Sequence, residues 1–160
     1  MLSRFFQKAE MTVVVVCTAN VCRSPAAEAL MRSFLQSRGL RRRVRVLSAG
    51  TQVASPGRHP DPRMISIAAE SGIKMKSLRA SPVTASLLAE ANMVFCMDAS
   101  HKASLEQNFS EVSSKVLMFN PDERDVADPF FGSKQDVRRA FDQIESISRI
   151  RTEWLISQLN

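Results

Sequence analysis

Residues 12–25 read TVVVVCTANVCRSP. Thr12 to Val16 is an unbroken run of β-branched residues, the pattern of a strand buried on both faces of a parallel sheet. Ser24 and Pro25 predict a helix start, with a capping hydroxyl followed by proline at the first helical position. Leu30, Met31, Phe34 and Leu35 then recur at helical spacing, and Gly39 closes the segment. A loop from Cys17 to Arg23 thus joins a buried strand to a helix.

The same alternation continues outward. Residues 44–48 (VRVLS), 93–97 (MVFCM) and 115–119 (KVLMF) read as further strands, and 63–71, 84–91 and 99–108 as helices. The stretch 120–132 is polar, with two prolines, and reads as a surface loop. Val137, Phe141, Ile144, Ile147, Ile150 and Trp154 form one apolar stripe of a long last helix. Strands alternating with helices imply an α/β fold with right-handed crossovers. The expected architecture is a three-layer sandwich: a four-stranded parallel sheet, helices on both faces, and a phosphate loop after the first strand. Ligands of such sheets bind beyond the carboxyl ends of the strands, where this loop sits.

The chain of 160 residues suits one domain over 12–160, preceded by a short N-terminal extension over 1–11. With 44% apolar and 24% charged residues it has the composition of a soluble globular protein. The opening carries no signal-type apolar core, and its longest apolar run, 11–17, is too short for a membrane span. The expected compartment is the cytoplasm. Three cysteines without framework spacing argue against structural disulfides, and two scattered histidines, His59 and His101, against a metal cage. The formal charge of +6 is concentrated at Arg38, Arg41, Arg42, Arg43 and Arg45. These residues read as a solvated loop, or as a surface that steers anions. No motif for nucleic acid accompanies them.

A cysteine followed six positions later by arginine is weak on its own, since about 0.3 such matches arise by chance in this composition. Its place between strand and helix is what gives it meaning. A loop wrapped round a helix N-terminus aims backbone N–H groups at one point, which suits a phosphate dianion and favours the thiolate of Cys17. The backbone of Thr18, Ala19, Asn20, Val21 and Cys22 would line such a cradle. Arg23 offers a planar fork for two phosphoryl oxygens. Ser24 can donate to the Cys17 sulfur, and Asn20 tolerates left-handed backbone. Cys22 either packs or pairs reversibly with Cys17 on oxidation, whereas Cys96 reads as core. A proton donor is also required, and Asp128, Asp122 and Asp125 share the polar loop.

These residues resemble the low-molecular-weight protein tyrosine phosphatase family. The likeness rests on Cys17 to Pro25, on Asp128-Pro129-Phe130 late in the chain, and on three landmarks between them. Those are Ser48 to Thr51, Gly57 to Arg63 and Met97-Asp98, so that the resemblance spans about residues 12–158. It implies hydrolysis of phosphotyrosine monoesters with no metal or organic cofactor. Cys17 would be the nucleophile, Arg23 and the loop amides the phosphate ligands, and Asp128 the general acid and then base. The implied partners are a phosphotyrosine-containing protein and inorganic phosphate or a similar anion, with no nucleic acid or membrane, and a monomer or weak dimer is expected. Ala54, Phe130 and Phe131 would border the substrate. Ala54 stands where members commonly carry an aromatic or bulky apolar residue, so one wall of the cleft is expected to be low. Phe130 and Phe131 replace tyrosines, and the chain has no tyrosine at all. Ser77, Leu78 and Arg79 occupy the region of a histidine that, with Asp61, would brace the loop. Two rivals share the loop: an arsenate reductase of the same fold, and a non-catalytic phosphate-binding module.

Overall fold

A computed structural model describes residues 8–160. Four parallel strands form one sheet in the order β2-β1-β3-β4: β1 Met11–Cys17, β2 Val44–Gly50, β3 Met93–Cys96 and β4 Val116–Met118. Five α-helices flank it: α1 Arg23–Ser37, α2 Pro62–Glu70, α3 Ala85–Glu90, α4 Ala99–Asn108 and α5 Lys134–Ser157. A 3-10 turn, Ser110–Lys115, leads into β4. The expected three-layer α/β sandwich is thus what the chain forms. The predicted N-terminal extension falls mostly on residues 1–7, outside the described residues, while Met11 itself opens β1.

The valine run explains the layering. Val13 and Val15 join the cluster that includes Leu30, Leu35, Met64, Phe141 and Ile144, beneath α1, α2 and α5. Val14 and Val16 point the other way, into a cluster with Leu88, Val94 and Leu105 beneath α3 and α4. All four valines are fully buried, each contributing roughly 1.5–3 kcal/mol of apolar burial. Strand order reverses around β1, since the chain adds β2 on one side and β3 and β4 on the other. The carboxyl end of β1 is therefore a topological switch point, where the flanking crossovers diverge and leave a crevice.

Two local expectations change. The helix after β1 begins at Arg23 with Cys22 as its cap residue, and Pro25 sits within the first turn. Proline is tolerated there because the first N–H groups of a helix have no intrahelical partner. Ser24 does not cap the helix because its hydroxyl is engaged behind the loop. On α5, Ile150 is 56% exposed, while Ser148, Thr152 and Leu155 are buried. A helix advances about 100° per residue, which carries position 150 well off the face set by Val137, Phe141 and Ile144. The basic segment is largely neutralised at the surface, with Arg38 paired to Glu153, Arg43 to Glu10 and Arg45 to Glu90.

Gly50 closes β2 opposite Cys17. A Cβ there would lie 2.4 Å from the Thr18 carbonyl oxygen and 2.6 Å from Val53 Cγ2. Gly50→Ala should therefore displace the loop and destabilise the fold by roughly 1–3 kcal/mol, the cost of overpacking. A fall in the urea midpoint together with lost phosphate affinity checks this. An alanine variant with unchanged midpoint and affinity would show that the loop accommodates the methyl group.

Candidate active site

Cys17 ends β1, and the loop that follows is held by its carbonyls. Thr51 N–H donates to the Cys17 oxygen at 3.0 Å, Gln52 N–H to that of Thr18 at 2.9 Å, and Asp61 N–H to that of Val21 at 2.7 Å. Ala26 N–H reaches back to Cys22 at 3.3 Å. Asn20 has φ of +56°, the left-handed conformation that asparagine tolerates better than most residues. With the carbonyls tied outward, none of the N–H groups of residues 18–22 donates to a protein acceptor among the described residues. Such a row of donors at a helix N-terminus suits an anion.

Behind the loop runs a buried polar chain. Ser24 Oγ lies 2.9 Å from Cys17 Sγ and accepts from Asn20 Nδ2 at 2.8 Å. The second Asn20 proton goes to Ser48 Oγ at 2.9 Å, and Ser48 donates to Glu28 at 2.7 Å. Asn20 Oδ1 accepts from Ser81 N–H at 2.9 Å. Burial pushes the Glu28 carboxyl above its ordinary range, against the pull of the Arg32 ion pair and the Ser48 hydrogen bond. The loop thus has bracing without a histidine near 77–79. Asp61 does not take part through its side chain, which caps α2 and pairs with Arg63.

Arg23 is 2% exposed. Its Nη1 donates to Asp98 Oδ2 at 2.9 Å and to the Val126 carbonyl at 2.8 Å, and its Nη2 lies 3.5 Å from Asp128 Oδ2. Burial works against the charge of Asp98, but hydrogen bonds from Ser100 and Arg23 outweigh it and hold the carboxyl below its usual range. Arg63 reaches the other side of the site, donating to the Phe130 carbonyl at 2.8 Å and to that of Gly132 at 2.7 Å. One residue pair, Asp61 and Arg63, thereby links the loop to the segment that carries Asp128.

A cavity of about 210 Å³ opens above the loop, lined by Cys17, Thr18, Ala19, Val21, Cys22, Arg23, Asp128, Phe130 and Phe131. The structure brings together the loop, Asp128 and both phenylalanines, whose rings meet edge to face at 4.9 Å. Asn20 and Ser24 stand behind the loop rather than in the cavity wall, and Ala54 is exposed and outside the lining. Asp122 pairs with Arg124 and Asp125 accepts from Ala99 N–H, so neither reaches the cavity. The sequence offers no role for Glu28 or His101, and it marks Arg63 and Asp98 only as landmarks. The contacts that tie them to the site, Ser48 to Glu28, Arg63 to the Phe130 carbonyl and His101 to Thr18, span 20 to 83 positions, while the acidic N-cap patterns at Asp61 and Asp98 are local signals. A larger cavity of about 520 Å³, lined by Leu88, Phe109 and Lys115 among others, has no cysteine in its lining. Among the described residues no group of three or more His, Cys, Asp or Glu is placed to hold a metal ion. No described helix is long and apolar enough to cross a membrane.

A cysteine and an arginine at the two ends of a loop after the first strand of a parallel sheet suit chemistry on a phosphoryl group. Residues 12–158 match the family model of the low molecular weight phosphotyrosine protein phosphatases, and the chain belongs to that family. The protein-arginine-phosphatase of Bacillus subtilis is 34% identical over 143 residues, covering 87% of this chain and 93% of that protein. A probable low molecular weight protein-tyrosine-phosphatase, EpsP of Ralstonia nicotianae, is 31% identical over 145 residues, with 90% and 93% covered. Among solved structures, a YwlE mutant from Bacillus subtilis superimposes with a TM-score of 0.84 at 32% identity, covering 91% of this chain and 98% of that one. The low molecular weight protein tyrosine phosphatase from T. tengcongensis gives 0.82 at 27% identity, with 93% and 99% covered.

All three cysteines are free and buried. Burial pushes the Cys22 and Cys96 thiols up to about 12, with the nearby carboxylates Asp61 and Asp98 adding to the shift. At pH 7.5 both remain protonated and unreactive. Iodoacetamide should therefore label Cys17 well before either, as read by peptide mass mapping. Equal labelling of Cys22 would contradict this ordering.

Proposed function

We propose that the chain dephosphorylates protein phosphotyrosine through a phosphocysteine intermediate, with Cys17 as nucleophile, Arg23 as phosphate ligand and Asp128 as acid and base. The observation that carries this reading is the run of N–H groups from Thr18 to Cys22 without a protein acceptor, in a loop that lines one cavity together with Cys17, Arg23 and Asp128. A phosphoryl group seated on those donors has its phosphorus facing the thiolate. Ser24, 2.9 Å from the sulfur, can donate to the anion and favour it.

The thiolate attacks phosphorus, the bond to the leaving oxygen breaks, and Asp128 gives that oxygen its proton. Water then attacks the phosphocysteine, its proton passes to the Asp128 carboxylate, and the P–S bond breaks to free phosphate and thiolate. Arg23 and the loop amides stabilise the charge spread over the equatorial oxygens. A covalent step is supported by YwlE arginine phosphatase, whose cysteine-to-serine mutant carries a phosphorylated active-site serine. The sulphate complex of Wzb from Escherichia coli K30 supports anion binding. The loop site would hold inorganic phosphate as product. Three unpaired cysteines fit a reducing, cytoplasmic setting. The relay of an arsenate reductase would need a second accessible thiol, but Cys96 is fully buried in β3.

Phosphotyrosine is favoured by the apolar wall of Val21, Phe130 and Phe131, which suits stacking against a phenyl ring. Protein phosphoarginine is the second reading, drawn from the substrate named in the Bacillus subtilis relative. Turnover of p-nitrophenyl phosphate should be insensitive to chelator and fall to background in Cys17→Ser. Asp128→Asn should cut kcat roughly 10²–10⁴-fold, while Asp122→Asn and Asp125→Asn stay near wild type. Equal losses at all three aspartates would refute the acid assignment. Paired rates on phosphotyrosyl and phosphoarginyl peptides decide between the substrates, and faster release from phosphoarginine would overturn the first.

A further inference from the structure

His101 is 1% exposed on α4, away from the loop in sequence, yet its Nε2 lies 2.8 Å from Thr18 Oγ1. Its other nitrogen, Nδ1, accepts the Asp98 N–H at 3.1 Å. A ring whose Nδ1 accepts is neutral and carries its proton on Nε2, so that His101 donates to the Thr18 hydroxyl oxygen. Burial lowers the affinity of this imidazole for a second proton. The charges that bear on it are Asp98, Arg23, Asp128 and Asp125, and the first of them only partly offsets burial. Arg23 Nη2 also points at Thr18 Oγ1, at 3.4 Å. With both lone pairs of that oxygen addressed by donors, its own hydrogen must turn elsewhere. Thr18 lines the cavity.

We propose that His101 is a positioning residue that holds the Thr18 hydroxyl as a donor into the cavity, where it bonds a phosphoryl oxygen alongside the loop amides and Arg23. This rests on the phosphatase reading above and adds to it a side-chain ligand with a fixed polarity. The contacts form a closed ring. Arg23 donates to the Asp98 carboxylate, the Asp98 N–H donates to His101, and His101 and Arg23 both donate to Thr18. The ring ties the first residue after the nucleophile to the last residue of the loop, and it leaves one proton over. Both donors approach Thr18 Oγ1 from the ring side, which leaves its proton to turn toward the cavity that Thr18 lines.

The experiment compares wild type, Thr18→Val, Thr18→Ser, His101→Gln and the Thr18→Val/His101→Gln double variant. It reads kcat and KM on p-nitrophenyl phosphate and the inhibition constant of inorganic phosphate, after thermal melts confirm folding. Thr18→Val keeps the shape of the side chain and deletes the donor, so phosphate inhibition should weaken about tenfold, the scale of one hydrogen bond to a charged group. Thr18→Ser should restore it to within about threefold. His101→Gln should weaken phosphate by a similar factor alone, and by less than about twofold when Thr18 is already valine. Unchanged phosphate inhibition in Thr18→Val overturns the proposal, as does failure of serine to rescue or full additivity in the double variant. Where His101→Gln does not fold, the threonine series alone decides. A wild-type protein that neither turns over the ester nor binds phosphate would instead overturn the underlying phosphatase reading.

Discussion

Five consecutive backbone N–H groups, Thr18 to Cys22, without a protein acceptor are costly, because a buried donor without a partner forfeits its bond to water. The loop after β1 holds this arrangement because its carbonyls are tied down on the opposite side. Thr51 and Gln52, just past β2, take the oxygens of Cys17 and Thr18, and Asp61, just before α2, takes that of Val21. Asn20 turns the chain between them in left-handed backbone. The sheet order makes these bonds available. Because β2 pairs with β1 in register from Met11–Val44 to Cys17–Gly50, the chain leaving β2 runs alongside the chain leaving β1. Gly50 lets the two approach closely enough to bond. The anion site is therefore a product of strand pairing as much as of the loop's own residues.

The same logic extends to the charged groups. Arg23 would be an uncompensated buried cation if it waited alone for an anion, an expensive state. Asp98 and the Val126 carbonyl occupy Nη1, which neutralises the guanidinium and aims it. Asp98 is in turn the cap of α4, so a helix terminus on the far face of the sheet fixes the arginine. On the near face, Arg63 couples the loop to the Asp128 segment through the Phe130 and Gly132 carbonyls. Cys17 and Arg23 share the loop after β1, Asp128 comes from the segment before α5, and the Arg63 bond to the Phe130 carbonyl holds the second stretch over the first.

Much of this was legible from local pattern. The valine run, the loop after it and the alternation of strands and helices depend on neighbours in sequence, and each led to the element observed. What was not legible depends on partners far away. Ser24 reads as a cap because Ser-Pro commonly starts helices, but its hydroxyl goes to Cys17 and Asn20, contacts that only the closed loop creates. Ile150 fits an apolar stripe when hydrophobic residues are counted, yet helical rotation carries it to solvent while Ser148 and Thr152 turn inward. His101 reads as an isolated histidine because Thr18 lies 83 positions away. The missing brace near Ser77 to Arg79 is the converse case. Its absence in sequence is real, but Ser48 and Glu28 support Asn20 from another direction.

The cleft divides into a part that cannot shift and a part that can. Below, the loop, Arg23 and Thr18 are locked to β2, α2 and α4, so the geometry seen by a phosphoryl group is set by the fold. Above, the backbone of Phe130 is pinned by Arg63 and its ring lies under the Arg58 guanidinium, whereas Phe131 is 96% exposed. Ala54 lies outside the lining and adds no facing wall. A leaving group therefore meets a fixed ring on one side and a free one beside it. On the proposed reading, discrimination among phosphomonoesters comes mainly from stacking on that pair, because Phe130 and Phe131 are the aromatic part of the cavity lining. A flat aromatic leaving group gains both rings at little entropic cost. A flexible one must give up rotamer freedom for the same contact, which is the physical basis for expecting aryl phosphates to be preferred.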